Sequence, residues 1–193
     1  MLIGLHGCKQ VGKDTAAQWL IDELDYIKIA FADKLKESVA ELFMLDRDNV
    51  DRLKEMMAHV EIRHPMSAES IAFTWRIFLQ RYGTEAHRRV FGDNFWVDQW
   101  ERTYDELYER DPSAAERVVV TDCRFRNEAI RIHKLGGCII EIRRPGFEPD
   151  GHASEEPLDE DLIDACIYND SSIEAYRRRF LAVVHSLNAG VSA

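Results

Sequence analysis

The chain opens with Leu2-Ile3-Gly4-Leu5-His6-Gly7-Cys8-Lys9-Gln10-Val11-Gly12-Lys13-Asp14-Thr15 and runs straight into an amphipathic stretch from Ala16 to Leu24. The first part reads as a buried strand, the middle as a glycine-bounded loop and the end as the start of a helix. Such a loop lets backbone N–H groups curl around phosphate oxygens, and the helix that follows adds its positive N-terminal dipole. The Lys13 ammonium then bridges terminal phosphates. A nucleotide is therefore expected at Gly7, Val11, Gly12, Lys13, Asp14 and Thr15.

One position departs from the usual pattern. After the lysine a Ser or Thr normally ligates magnesium, but Asp14 stands there and Thr15 follows. A carboxylate beside a triphosphate is repelled unless a cation lies between them, so Asp14 and Thr15 are expected at Mg²⁺. The alternative, that Asp14 only favours the helix start electrostatically, stays open.

Working outward, four more apolar runs rich in β-branched or aromatic residues read as strands: Tyr26–Phe31, Arg117–Thr121, Cys138–Ile142 and Ala165–Tyr168. Helix-like stretches separate them. Buried strands alternating with helices predict an α/β fold with a mostly parallel sheet covered on both faces. The stretch from about 33 to 111 reads as strand-free and helical. Within it, Ser67–Tyr82 places Ile71, Trp75, Phe78, Leu79 and Tyr82 at helical spacing, with Arg76 and Gln80 on another face. The last helix is expected from Ser171, with S-S-I-E forming a capping box through Glu174. The segment Pro145–Asp161, with its prolines, glycines and acids, is a loop long enough to be a lid or binding element.

Val118-Val119-Val120-Thr121-Asp122 is a buried strand ending in an acid, the arrangement that holds hydrated magnesium beside a phosphate loop. The next residue is Cys123 and not Glu, so the acid pair of water-activating ATPases is missing. No N-K-x-D element for guanine is present either. Arginines cluster where open α/β sheets place ligands: Arg124 and Arg126 after the Asp122 strand, Arg143 and Arg144 at the end of the following one. Transfer between two anions needs such cations around both substrates. A monophosphate acceptor brings its own anionic oxygen as nucleophile, so no strong general base is required. Arg88 with Arg89 is a further tight pair, whereas Arg177 to Arg179 read as a solvated helix face.

Composition limits the alternatives. The chain has 193 residues, 46% of them hydrophobic and 31% charged, a globular profile that fits one domain. A net charge of -10 argues against a broad nucleic-acid or anionic-membrane surface. Cys8, Cys123, Cys138 and Cys166 lack C-x-x-C spacing and read as reduced thiols, and the histidines show no zinc spacing. No leader-like N-terminus or membrane-length apolar run is present, so a cytosolic location is expected. The oligomeric state is not set by the sequence, and a homodimer stays open.

Five segments in this order are similar to deoxynucleoside monophosphate kinases of the bacteriophage type. They are G-C-K-Q-V-G-K-D-T from Gly7, F-A-D-K-L-K at Phe31–Lys36, L-Q-R-Y-G-T-E at Leu79–Glu85, V-V-V-T-D-C-R-F-R-N-E-A at Val118–Ala129, and H-A-S-E at His152–Glu155. The resemblance implies an adenylate-kinase-like P-loop fold in three layers. It has a five-stranded sheet, a helical acceptor-binding insert over about 33–111 and a short lid over about 143–161. It implies ATP and Mg²⁺ as donor and metal, and host cytoplasm if the chain is viral. Residue by residue, it implies Lys13, Arg124 and Arg143 as catalytic groups, Arg144 at ATP, and Asp14, Thr15 and Asp122 at the metal. Lys9, Arg76, Arg124 and Arg126 would meet the acceptor phosphate, and Asp150, His152 and Glu155 its sugar or base. Two other readings remain: a P-loop kinase of another phosphorylated small molecule, such as phosphomevalonate, and a non-catalytic ATP-sensing module.

Overall fold

The computed structural model describes residues 1–63, 70–147 and 157–191. The elements run β1 (Ile3–His6), α1 (Lys13–Leu24), β2 (Ile27–Lys28), α2 (Asp33–Phe43), α3 (Arg47–Glu55), β3 (His59–Arg63), β4 (Ser70–Thr74) and α4 (Trp75–Arg81). A π-helical turn, Tyr82–Arg88, leads into α5 (Arg89–Phe91) and α6 (Phe95–Arg110). Then come α7 (Pro112–Ala115), β5 (Val118–Val120), α8 (Arg126–Lys134), β6 (Cys138–Arg143), β7 (Ala165–Tyr168) and α9 (Ile173–Val191). Two compact units are formed, one from residues 1–31 with 101–193 and one from residues 32–100.

The first unit carries a five-stranded sheet in the order β2-β5-β1-β6-β7, parallel at each pairing. β1 sits at its centre, with Ile3 opposite both Val119 and Cys138. A strand flanked on both sides and covered on both faces has no solvent side, which is why β5, and β1 up to His6, read as apolar runs. Ile3 and Leu5 of β1 join Leu20 of α1 and Tyr176, Phe180 and Val184 of α9 in one buried cluster. Gly4 faces the other way, where a Cβ would stand 2.7 Å from Cδ1 of Ile132 in α8. Helices thus cover both faces, as the three-layer reading expects. β2 is shorter than Tyr26–Phe31, although the Ile29 N–H still donates to the Val119 carbonyl at 3.1 Å.

At the start of α9 the cap lies one residue later than expected. The Ser172 hydroxyl accepts the Ala175 N–H at 3.3 Å and the helix begins at Ile173, so Ser171 with Glu174 does not form the capping box. None of the four cysteines is in a disulfide. Burial pushes the Cys138 thiol up to about 12. No helix among the described residues is long and apolar enough to cross a membrane.

The second unit corrects the all-helical reading of 33–111. β3 and β4 form an antiparallel hairpin with Val60 opposite Phe73 and Ile62 opposite Ile71, and the helix expected from Ser67 begins only at Trp75. The residues Ser-Ile-Ala-Phe-Thr are β-branched and aromatic at a period of two, which suits a half-buried strand. Thr74 then stops the strand and caps α4, its hydroxyl accepting the Ile77 N–H at 3.3 Å. Trp75, Phe78 and Leu79 are buried with Val39, Val50 and Val60, whereas Ile71 is 58% exposed.

Lys36, Arg47 and Lys54 surround Asp51. Burial disfavours its charge, but hydrogen bonds from Lys36 and Arg47 and the nearby cations outweigh this and hold its carboxyl well below the usual range.

Candidate active site

The loop between β1 and α1 is shaped by its two glycines. Gly7 has φ 133° and Gly12 φ 110°, values that side-chain-bearing residues rarely adopt. A Cβ on Gly7 would lie 2.3 Å from the Ile142 carbonyl oxygen, and one on Gly12 would lie 2.9 Å from Asn169 Nδ2. Gly12 is also the N-cap of α1 and supplies no capping side chain. The first turn of a twelve-residue helix therefore faces the loop with its dipole. The Lys13 side chain is 8% exposed. Its ammonium folds back over the loop, donating to the carbonyls of Gly7 at 2.6 Å and Cys8 at 2.5 Å.

The far side of the loop is held by the end of the chain. Asn169 Nδ2 donates to the Val11 carbonyl at 2.8 Å, and the Tyr176 hydroxyl donates to the Gly12 carbonyl at 3.1 Å. These two bonds tie the Val11 and Gly12 carbonyls to the β7–α9 segment. A cavity with a volume of about 350 Å³ is lined by Gly12, Lys13, Asp14, Thr15, Arg144 and Tyr176, among others. Burial pushes the Tyr176 phenol well above its ordinary pKa, so it remains a donor. Tyr176→Phe removes one hydrogen bond from the half-buried Gly12 carbonyl, which keeps the Ala16 N–H at 3.0 Å. It should weaken ATP binding about tenfold at a stability cost of about 1 kcal/mol, measured by titration calorimetry and urea denaturation. Unchanged ATP affinity would remove the tyrosine from the account of the loop.

For the metal, Asp14 and Thr15 both lie on the cavity wall. Hydroxyl and carboxylate oxygens suit a hard cation, and magnesium needs only one or two protein donors when phosphates and water supply the rest. The Asp14 side chain is 82% exposed and pairs with Lys28 Nζ at 2.9 Å. Asp122 follows β5, and its Oδ1 accepts the Phe31 N–H at 2.9 Å. Among the described residues no three of His, Cys, Asp or Glu group as a metal site. Asp14 and Thr15 thus offer oxygen donors of the kind that suit a phosphate-bound magnesium.

The arginine pairs divide. Arg144 reaches the phosphate loop, its Nη1 donating to the Gln10 carbonyl at 3.4 Å with its guanidinium 4.9 Å over the Phe147 ring. Arg143 turns onto Glu141, with Nε at 2.9 Å and Nη2 at 2.7 Å from Oε2. These hydrogen bonds raise its pKa further. Arg126 pairs with Asp159. Arg124 lies in the turn closed by Glu128, whose buried carboxylate accepts the N–H groups of Arg124 at 2.8 Å and Phe125 at 3.1 Å. Lys9 is exposed on the loop, and Arg76 is exposed on α4 in the second unit. Asp150, His152 and Glu155 lie outside the described residues. The sequence reading missed His6, Glu128, Asn169 and Tyr176. Only Glu128 had a local signal, as an acid in the first turn of a helix.

A parallel sheet whose central strand feeds a glycine-bounded, lysine-bearing loop and then a helix is the architecture of P-loop proteins. A solved structure of the same architecture, dephospho-CoA kinase from Campylobacter jejuni, superposes with a TM-score of 0.53 at 15% identity over 98% of both chains, a likeness of fold. Residues 41–180 match the family described as deoxynucleotide monophosphate kinase. A "Putative deoxynucleotide monophosphate kinase" of Acanthamoeba polyphaga mimivirus is 34% identical over 95% of this chain and 96% of that one. The chain belongs to the deoxynucleotide monophosphate kinase family.

Proposed function

We propose that this protein transfers the γ-phosphoryl group of ATP to a deoxynucleoside monophosphate, giving ADP and a deoxynucleoside diphosphate. The observation that carries the reading is the convergence of Lys13, the α1 N-terminus and Arg144 on one cavity, in a chain of this family. ATP takes its phosphates to the main-chain N–H groups from Gly7 to Thr15, with Lys13 along the terminal phosphates and Arg144 at the mouth. Asp14, Thr15 and Asp122 are the residues that would hold magnesium, which supplies charge neutralisation on the donor phosphates when bound.

A phosphate oxygen of the acceptor attacks the γ-phosphorus in line. The bond from that phosphorus to the bridging oxygen breaks, and ADP leaves with the electron pair. Because the nucleophile is already an anion, the protein supplies position and positive charge and no base. Lys9, Arg76, Arg124 and Arg126 are assigned to the acceptor phosphate, Arg143 to the transferring group, and Asp150, His152 and Glu155 to the sugar and base. Cationic side chains at both ends offset the repulsion between substrates.

The test is a coupled assay of ADP release with the common deoxy- and ribonucleoside monophosphates side by side. Turnover with at least one deoxynucleotide, faster than with its ribonucleotide, is the expected result. Turnover with none of them would refute the assignment.

A further inference from the structure

We propose that His6 is a positioning residue that ties the strand feeding the phosphate loop to two segments beside it: the turn from Asp122 to Arg124 and the backbone at Leu158, next to Asp159. Its effect on catalysis rests on the phosphotransfer reading above, whereas its geometry does not. His6 is the last residue of β1, immediately before Gly7, and is 5% exposed. Its Nδ1 lies 3.0 Å from the Cys123 carbonyl oxygen and its Nε2 lies 3.4 Å from the Leu158 nitrogen. A carbonyl can only accept and a peptide N–H can only donate. The two partners therefore require a neutral ring with its proton on Nδ1 and its lone pair on Nε2.

What the two bonds hold gives the ring its consequence. Cys123 stands between Asp122 and Arg124, so the first bond fixes the backbone from which both side chains project. Leu158 is buried and precedes Asp159, the partner of Arg126. The second bond therefore fixes the backbone beside the carboxylate that pairs with Arg126. A single imidazole thus relates the phosphate loop to Asp122, Arg124 and Arg126. An aliphatic side chain of similar size would leave a buried carbonyl and a buried N–H without partners.

The charged groups facing the ring are Glu141 on β6, which favours its protonation, and Lys13 on α1 and Arg124 after β5, which oppose it. Burial is the largest influence and, with those cations, depresses the imidazole pKa. Protonation puts a second N–H against the Leu158 N–H. A depressed histidine keeps its contribution above the ordinary pKa near 6.5 and loses it as pH falls through the lower folded value.

The experiment pairs nitrogen NMR of the imidazole in the full chain with kinetics of three variants. In the wild-type protein His6 is expected as the Nδ1–H tautomer, neutral at neutral pH and titrating below the exposed histidines. His6→Leu should lower kcat by about tenfold to a hundredfold with KM for ATP little changed. His6→Asn, which keeps a donor toward Cys123, and His6→Gln, which keeps an acceptor toward Leu158, should each recover part of that loss. Both should lack the fall in kcat on acidification that the wild type shows. An Nε2–H tautomer or a cationic ring at neutral pH would overturn the proposal, whether or not His6→Leu folds. So would a wild-type kcat and pH profile in His6→Leu. Absence of all turnover in the wild type would count against the phosphotransfer reading alone, since the tautomer still decides the geometry.

Discussion

Lys13→Ala is expected to lower kcat by about a thousandfold, the upper end of what removal of one charge-stabilising donor costs. In the structure the ammonium lies over the loop, bonded to the Gly7 and Cys8 carbonyls, where the terminal phosphates of ATP would draw it. Alanine removes the positive charge inside the cradle and leaves the main-chain N–H groups in place, so the deficit should fall mainly on kcat. Folding should change little. The Val11 and Gly12 carbonyls remain tied to Asn169 and Tyr176, and truncation also relieves the desolvation of a charge that is 8% exposed. Steady-state kinetics at saturating ATP and acceptor, beside a thermal melt, check both halves. A variant within tenfold of wild type would show that Lys13 does not touch the transferred charge.

Gly7→Ala should be the most damaging single methyl in the loop. Two separate costs act at one atom: a backbone at φ 133°, and a Cβ placed 2.3 Å from the Ile142 carbonyl oxygen. The second cannot be relieved by a rotamer change, because the obstacle is backbone of β6, paired to strands on both sides. Strain of this kind costs on the order of 1–3 kcal/mol, and the loop must lift to escape it. A loss of about 2–4 kcal/mol in unfolding free energy and of at least about a hundredfold in ATP affinity is expected. Gly136→Ala is the matched control. Gly136 has φ 74° and nothing within 4 Å of a Cβ, so only the dihedral cost applies. Denaturation and calorimetry of the two variants together separate strain from collision. Equal effects would mean that the contact with Ile142 is not what shapes the loop.

How much could be read in advance depended on how local each signal was. β1, β5 and β6 were legible because strands buried on both faces need apolar side chains at successive positions. The phosphate loop was legible because its glycines, lysine and helix start are contiguous. The hairpin was hidden for a specific reason. Ile71, Trp75, Phe78 and Leu79 satisfy a helical spacing that begins inside a strand, and the alternation of Val60 and Ile62 has meaning only once β4 lies beside it. Asn169 and Tyr176 act on carbonyls 158 and 164 positions away, and nothing in their neighbours marks them. His6 resembled any last residue of a buried strand. The arginines were legible as a group but not individually: Arg144 reaches the loop while Arg143 turns to Glu141.

The position of β1 at the middle of the sheet also bears on how the polypeptide is made. Synthesis runs from the N- to the C-terminal side, so β1 is made well before its sheet neighbours, residues 118–120 and 138–143. Residues 32–100, whose buried cluster from Val39 to Leu79 draws on their own side chains, are synthesised in between. At translation rates of about 5–20 residues per second, β1 waits on the order of ten seconds for a partner. Through that interval an apolar ribbon with two open edges must be kept from other such ribbons.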